Sequence, residues 1–452
     1  MSDTKSSEDL AAAAGVFESE KKGAEAVEAG IERPITGYQY VAPPAPGYDV
    51  HGLWHYFPCH GRTGYAAHAI ALHSLLIDEL KVPTSLVPHR NAAIDIDKFP
   101  RDRFDMLLGW MKHICGHPEA FIVSLPPELK MYEQTRALVN YVAFEATKVS
   151  EFAAQNVCND EKLAALWCVS EFTARAFLSS GVDSKKVFVV RPPICDGPWK
   201  AMFTPLDELE RTQHGSTFQF GTVGTWHERK GFRDLVRAYF REFKRSEPVE
   251  LAIRTSHLGD ELTIKKFRDK VVDEIAAVAR EFGDDDYPRS KKMPVIRILL
   301  GTDLSDAELI KWLGSIDCYV NPSYGEGLGI PAMWAAAQGL PIVSSEFGAV
   351  GEWLLSSQVA RSMMFPARQV LVPTSMMSLN SAFAVDSLWG GYDVGDAAVA
   401  MRVAYADRHG PDREGAEYTR NYFSYRACAP SARSALAFVS RSETLAKWGI
   451  AP

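Results

Sequence analysis

The sequence predicts an α/β protein in which short apolar strands alternate with helices. Three stretches carry that expectation. Residues 318–354, CYVNPSYGEGLGIPAMWAAAQGLPIVSSEFGAVGEWL, read as strand, glycine-rich turn, helix, strand and a second glycine-containing turn. Residues 51–80 follow the order strand, glycine turn, helix, and residues 217–243 follow it again with a charged turn. Strand–turn–helix units of this kind build doubly wound parallel sheets.

The first of these stretches also carries chemistry. Glu326 is the one carboxylate of its loop and stands between Gly325 and Gly327. Gly329, Ile330 and Pro331 open a helix that runs through the alanines to Gln338, and Gly339 ends it. Pro331 suits a first helical turn because the N–H it lacks would be unpaired there. A glycine loop at a helix N-terminus offers free N–H groups and a positive dipole end to a phosphate. A carboxylate at that spot would repel the phosphate, so Glu326 is assigned to hydroxyls. Phosphate beside polyol describes a nucleotide sugar. The run P-S-x-x-E-G-x-G-x-P, followed by an Ala-rich helix and G-x-P-[IV]-V, resembles the donor-site motif of the retaining glycosyltransferases of family 4, which have the GT-B fold. The resemblance implies two Rossmann-like domains facing a cleft. It also implies that Glu326 holds a donor-sugar hydroxyl. The family's second glutamate, which holds the nucleotide ribose, corresponds to Trp334. Trp334 then either stacks on a ring or leaves ribose to other groups. A doubly wound protein using the glycine loop as a plain turn is the alternative.

Composition bounds the class. The chain has 452 residues, enough for two or three domains. With 46% hydrophobic and 23% charged residues it matches ordinary globular proteins. The net charge of −8 disfavours a broad nucleic-acid surface but leaves a local basic patch open. No apolar run is long enough to span a membrane, and the polar N-terminus lacks a signal-type apolar core. Cys59, Cys115, Cys158, Cys168, Cys195, Cys318 and Cys428 are scattered without a CxxC pair. That disfavours zinc and a disulfide framework and points to a reducing cytoplasm.

In chain order, residues 1–48 read as a mobile tail and lead-in, with few large apolar residues before about position 35. HGLWHYF at 51–57 is a first buried strand. Gly61 and Gly64 flank a tight turn, and Ala67, Ile70, Ala71, Ser74, Leu75 and Ile77 then recur at helical spacing. PTSLVPH is the second strand; RFDMLLGWMKHI and EAFIVSLPPEL add a helix and a strand. YVAF is a strand with Glu145 and Thr147 at its carboxyl end, where ligands of open α/β sheets sit. LWCV leads to Ser170 as a helix cap, a helix over Glu171 to Leu178 and the strand KVFVVRPPI. The first domain is expected over 49–200, with a linker near 194–216, and the second over 201–419. That second domain begins with FQFGTVG, the turn HERKG and a helix with Phe232, Leu235, Val236, Tyr239 and Phe243 on one face. PVELAIRTS, a long charged helix, PVIRILLG and a helix capped by Ser305 follow. Beyond Leu354 we expect a loop, a helix from about Val394, and C-terminal helices over 420–452 that return to the first domain, as GT-B proteins often do.

The resemblance extends to further positions. The Gly61–Gly64 turn resembles the family's first glycine loop, which faces the donor diphosphate. Lys230 matches a lysine that neutralises that diphosphate. The arginine that usually joins it corresponds to Thr225, and Arg229 can compensate because a guanidinium forks onto phosphate oxygens. Glu145 resembles a branch with a glutamate near the transferred sugar; capping a turn or pairing with Lys148 is the alternative. Thr302 to Leu304 are candidates for the nucleobase. Gly325, Gly327, Leu328 and Gly329 complete the donor loop. The implied reaction transfers a sugar from a nucleoside diphosphate donor to an acceptor hydroxyl with retained configuration, and needs no metal or other cofactor. The acidic run DDDYP at 284–288 reads as a solvent-facing loop, not a metal signature. Two other functions stay open: a non-catalytic nucleotide or sugar binder on the same fold, and a glycosyltransferase acting on modified nucleic-acid bases. Peripheral membrane contact also stays open, and the acceptor is unassigned.

Overall fold

A computed structural model describes residues 51–57, 64–88, 101–110, 113, 115, 117–124, 137–158, 163–210, 217–256, 263–301, 304–374, 382–407 and 410–450. The tail over 1–48, Gly61 and Thr302 lie outside the described residues. Two six-stranded sheets organise the rest, and every strand in them runs parallel to its neighbours. The first contains β1 (His51–Phe57), β2 (Thr84–Pro88), β3 (His117–Val123), β4 (Leu138–Val142), β5 (Leu163–Cys168) and β6 (Val187–Val189), in the order β2-β1-β3-β4-β5-β6. The second contains β7 (Phe218–Thr225), β8 (Val249–Ser256), β9 (Val295–Leu300), β10 (Cys318–Asn321), β11 (Ile342–Ser344) and β12 (Met364–Pro366), in the order β12-β11-β10-β7-β8-β9. The winding direction of the second sheet reverses between β7 and β10. In open parallel sheets that reversal leaves a crevice at the carboxyl ends of the two strands.

Helices fill the crossovers. The first unit has α1 (Gly64–Ser74), α2 (Arg101–Trp110), α3 (Glu151–Cys158) and α4 (Glu171–Leu178). The second has α5 (Phe232–Glu242), α6 (Ile264–Glu281), α7 (Asp306–Leu313), α8 (Ile330–Ala337), α9 (Gly348–Leu354), α10 (Gln358–Ser362) and α11 (Val394–Asp407). Three more close the chain: α12 (Arg413–Tyr422), α13 (Tyr425–Val439) and α14 (Ser442–Lys447). The face of α5 built from Phe232, Leu235, Val236 and Tyr239 is buried. By contrast α1 is buried on all sides from Ala66 to Ser74. It runs between β1 and a 3-10 turn at Gly197–Met202, which explains its all-round apolar sequence. The last helices lie against the first unit: α13 packs on β5 and β6, Arg441 grips the buried Glu119 of β3, and Trp448 donates to the carbonyl of His51 at 3.1 Å.

One hydrophobic core runs through both units. It includes Ile70 and Trp167 from the first, Trp199 from the connection, Ile310 and Trp334 from the second, and Leu436 of α13. Each large side chain buried in this way stabilises by roughly 1.5–3 kcal/mol. A buried ion pair crosses the same boundary. Arg103 of α2 is bidentate on Asp306 at the start of α7 (2.7 and 3.0 Å), and the indole of Trp199 donates to the same carboxylate at 2.9 Å.

Two readings need correction. Residues 369–392 are not simply a loop: β13 (Gln369–Pro373) pairs antiparallel with β14 (Leu388–Tyr392). Most of β13 is solvent-exposed and it ends in proline, and a long connection replaces the tight turn that would announce a hairpin. The acidic run at 284–288 is only partly solvent-facing. Asp285 and Asp286 are exposed, but Asp284 is buried and accepts from the Asp286 amide at 3.2 Å and from the Ser290 hydroxyl.

Candidate donor site at the sheet reversal

The loops after β7 and β10 meet at the reversal point. β7 ends at Thr225 and passes into a 3-10 turn, Glu228–Lys230, capped by the imidazole of His227, which accepts from the Arg229 amide at 3.2 Å. β10 ends at Asn321, and residues 322–329 lead into α8. The Tyr324 amide donates to the Arg229 carbonyl at 2.7 Å, and the Tyr324 hydroxyl donates to Asp234 of α5 at 2.6 Å. The two loops therefore hold each other in register.

Their charges meet as well. The Lys230 ammonium donates to Glu326 Oε1 at 2.5 Å. Arg229 reaches Glu326 at 3.7 Å, Glu145 at 3.3 Å and the Gly325 carbonyl at 2.5 Å. All four charged side chains are largely buried, with 16–22% of their surface exposed. Burial pushes the Glu326 carboxyl up, but Lys230 and Arg229 outweigh it and hold the group below the usual carboxylate range. Burial likewise pushes Arg229 down, and Glu145 and Glu326 outweigh it and raise it. His227 is lowered by burial and then by Arg229 and Lys230, so its imidazole is neutral beside them.

Backbone geometry makes two glycines obligatory. Gly329 caps α8 with φ +78°, and a Cβ there would lie 2.2 Å from Val350 Cγ2. At Gly325 a Cβ would lie 1.8 Å from the carbonyl oxygen of Glu145, so the first unit presses directly on the loop. Lys230, Glu326 and Gly329 line one small cavity with Thr222, Tyr319 and Ser323. The Thr222 hydroxyl is buried without a protein partner, an isolated polar group in an otherwise apolar stretch of β7. Sequence reading passed over Thr222 and Ser323; a hydroxyl in the middle of a buried strand was the available signal. It also passed over Tyr65, whose hydroxyl donates to the Ala143 carbonyl at 2.7 Å, two residues before Glu145.

Other expected residues lie apart. Gly64 is an exposed residue at the start of α1, Thr225 is half-buried at the end of β7, and Leu304 is half-buried before α7; none lines the cavity. The Leu328 side chain is in the core, so only its backbone can face a ligand. Gly327 faces the first unit, and its carbonyl accepts from the Ser170 hydroxyl at 2.8 Å. Trp334 stacks on nothing in the cavity. It is 2% exposed, its indole donates to the Ile194 carbonyl at 2.9 Å, and its ring packs 5.9 Å from that of Trp199. The second turn of α8 faces the connection between the units, and burial there favours an apolar ring. Glu145 pairs with Arg229, while Lys148 pairs with Asp386 instead.

Two parallel-sheet units with charged loops meeting at a reversal point define a protein of the GT-B class. The fold matches that of Anabaena Alr3699/HepE in complex with UDP and glucose (TM-score 0.53, 10% identity, 86% of this chain and 99% of that one). It also matches the E. coli structure described as trehalose-6-phosphate bound with UDP-2-fluoro glucose (TM-score 0.53, 11% identity, 86% and 100%). At such identities the likeness establishes the fold alone. No curated relative matches the chain. Residues 217–370, the segment that holds Lys230 and Glu326, match the model of the glycosyl transferases group 1.

Proposed function

We propose that the protein is a retaining glycosyltransferase that takes a nucleoside diphosphate sugar as donor and a hydroxyl as acceptor. The observation that carries the reading is the Lys230–Glu326 pair, buried at the reversal point of the family-matched sheet. Negative charge develops on the leaving diphosphate, and a positioned cation in a water-poor site stabilises it. Lys230 and Arg229 take that role. Positive charge develops on the sugar ring; Glu326 orients ring hydroxyls and Glu145 supplies nearby negative charge. Before the donor arrives, the two carboxylates hold the two cations in place, so little reorganisation remains for the reaction. In this reading the first unit, about 49–200, contributes the acceptor side and the second, about 201–419, the donor side. Uridine is the first base to test, because the HepE and E. coli structures hold UDP or a UDP sugar.

The burial of Trp334 favours one other reading, a glycosyltransferase-like binder, because it leaves no carboxylate at the family's ribose position. Thermal stabilisation by UDP, UDP-glucose and a panel of other nucleotide sugars tests both, since a ligand bound only to the folded state raises its stability. The enzyme reading expects stabilisation together with slow donor hydrolysis. Stabilisation without hydrolysis, with acceptor mixtures present, supports the binder; no response to any nucleotide refutes both.

A further inference from the structure

The β13–β14 pair plays no part in the donor chemistry above, yet it reaches the donor loop. Gly325 is enclosed from two sides: a Cβ there would meet the Glu145 carbonyl oxygen at 1.8 Å and Cδ1 of Trp389, on β14, at 3.3 Å. The hairpin also bonds to the first unit just after Glu145. The Thr147 amide donates to the Leu388 carbonyl at 3.0 Å, and the Leu388 amide donates back to the Thr147 hydroxyl at 2.9 Å. The Lys148 amide donates to the buried Ser387 hydroxyl at 3.2 Å, and the Ser150 amide to the Ala382 carbonyl at 2.7 Å. Upstream, the Phe144 amide donates to the Thr173 hydroxyl at 3.2 Å. The backbone that carries Glu145 is thus fixed at both ends, on one side by its own unit and on the other by the hairpin of the second.

Thr147 is the closing residue because it uses backbone and side chain on the same partner. Its hydroxyl stands in for the carbonyl that a further strand residue would offer to Leu388. Without it the Leu388 amide has no acceptor, and a desolvated donor without a partner is costly enough to loosen the contact. We propose that Thr147 is a positioning residue: its two-way bond with Leu388 holds the Glu145 backbone against Gly325 and so keeps the Glu145 carboxylate on Arg229. The proposal rests on the glycosyltransferase reading for its effect on turnover, but not for its effect on the loop.

The test compares Thr147→Val, which removes the acceptor at similar volume, with Thr147→Ser, which keeps it. In hydrolysis of UDP-glucose, or of whichever nucleotide sugar stabilises the protein most, Thr147→Val is expected to lose about tenfold in kcat with UDP affinity changed by less than about twofold. Thr147→Ser should stay within about twofold of wild type. In a Glu145→Gln background Thr147→Val should add nothing, because the group it positions is gone. Additive losses in that background, or equal losses in the Ser and Val variants, overturn the proposal. A second measurement needs no donor. Amide hydrogen exchange over residues 143–149 and 323–327 should accelerate at least about tenfold in Thr147→Val and not in Thr147→Ser. Unchanged exchange overturns the positioning role whatever the protein binds. Accelerated exchange in a protein that neither binds nor hydrolyses any nucleotide sugar supports the positioning role and refutes the glycosyltransferase reading.

Discussion

Lowering the pH from about 7.5 to about 5.5 should destabilise the first unit well before its carboxylates titrate, and the cause is a group of three histidines under the first sheet. His55 of β1 and His68 and His73 of α1 are at most 2% exposed. His55 Nδ1 lies 3.2 Å from His73 Nδ1 and its Nε2 lies 2.8 Å from the Ser124 hydroxyl, while His68 packs between the rings of Tyr65 and Tyr141. Burial lowers all three. His68 and His73 fall to about 3, and neighbouring imidazoles push His55 and His73 further in the same direction. The sign follows from linkage. The unfolded chain takes up protons near the ordinary histidine value of about 6.5 while the folded chain does not, so stability is fully present above that value and is lost as pH falls toward the folded values. One pH unit below about 6.5 costs about 1.4 kcal/mol per histidine, so His68 and His73 together cost about 3 kcal/mol at about pH 5.5, with His55 adding to it. Urea denaturation at the two pH values reads the loss as a fall in midpoint at constant slope. His68→Phe, which keeps a ring among rings, should remove about 1.4 kcal/mol of the difference. A pH difference below about 1 kcal/mol, or a His68→Phe variant with the full wild-type difference, would refute the reasoning.

Five substitutions test the rest. Lys230→Ala should weaken UDP binding by about 10- to 100-fold, the worth of a charge-assisted hydrogen bond, whereas Glu326→Ala should lose most turnover with only modest loss of UDP affinity; calorimetry and donor hydrolysis separate the two. Gly325→Ala has no room for its methyl group against the Glu145 carbonyl, so the Arg229–Glu145 contact should open and turnover fall about 100-fold while the far-ultraviolet spectrum stays native. Asp306→Ala removes the carboxylate that accepts from both the Arg103 guanidinium and the Trp199 indole in the boundary between units and should cost about 3–5 kcal/mol in denaturant titration. Trp334→Glu supplies the carboxylate that the resemblance expects at this position but sets it beneath Ile194 and Trp199. A loss of at least about 3 kcal/mol with no gain in UDP affinity is expected, and tighter UDP binding would show that α8 can turn its second turn to the ligand.

Much of this architecture was legible because local signals agreed with burial. The Ser170 cap and the helix from Glu171 to Leu178 appear where the sequence puts them, as does the Ser305 cap with its reciprocal Glu308. The Gly329–Pro331 start of α8 follows from an αL glycine beside a first-turn proline. What escaped depends on contacts distant in sequence. β13 is an exposed strand that takes its pairing from a partner beyond a long connection, so its own residues carry no burial pattern. Trp334 occupies a position where family likeness points to a ligand, but its orientation is set by a connection 140 residues earlier in the chain. Thr222 is polar on a strand that reads as core, and only the meeting of two loops gives it a cavity to face.

The loop between β10 and α8 owes its shape to both units at once. From the first unit, Ser170 holds the Gly327 carbonyl and the Glu145 backbone presses on Gly325. From the second, Ala349 donates to the Glu326 carbonyl at 3.0 Å, and Glu352 of α9 accepts from the Glu171 amide at 3.1 Å and the Phe172 amide at 2.5 Å at the start of α4. Arg229 cannot keep both carboxylate partners without both units, because Arg229 and Glu326 belong to the second and Glu145 to the first. A site assembled from one sheet alone would keep Lys230 on Glu326 but leave Arg229 half-paired and Gly325 free to move. The Arg229–Glu145 contact therefore spans the two units, and any motion that separates them must break it.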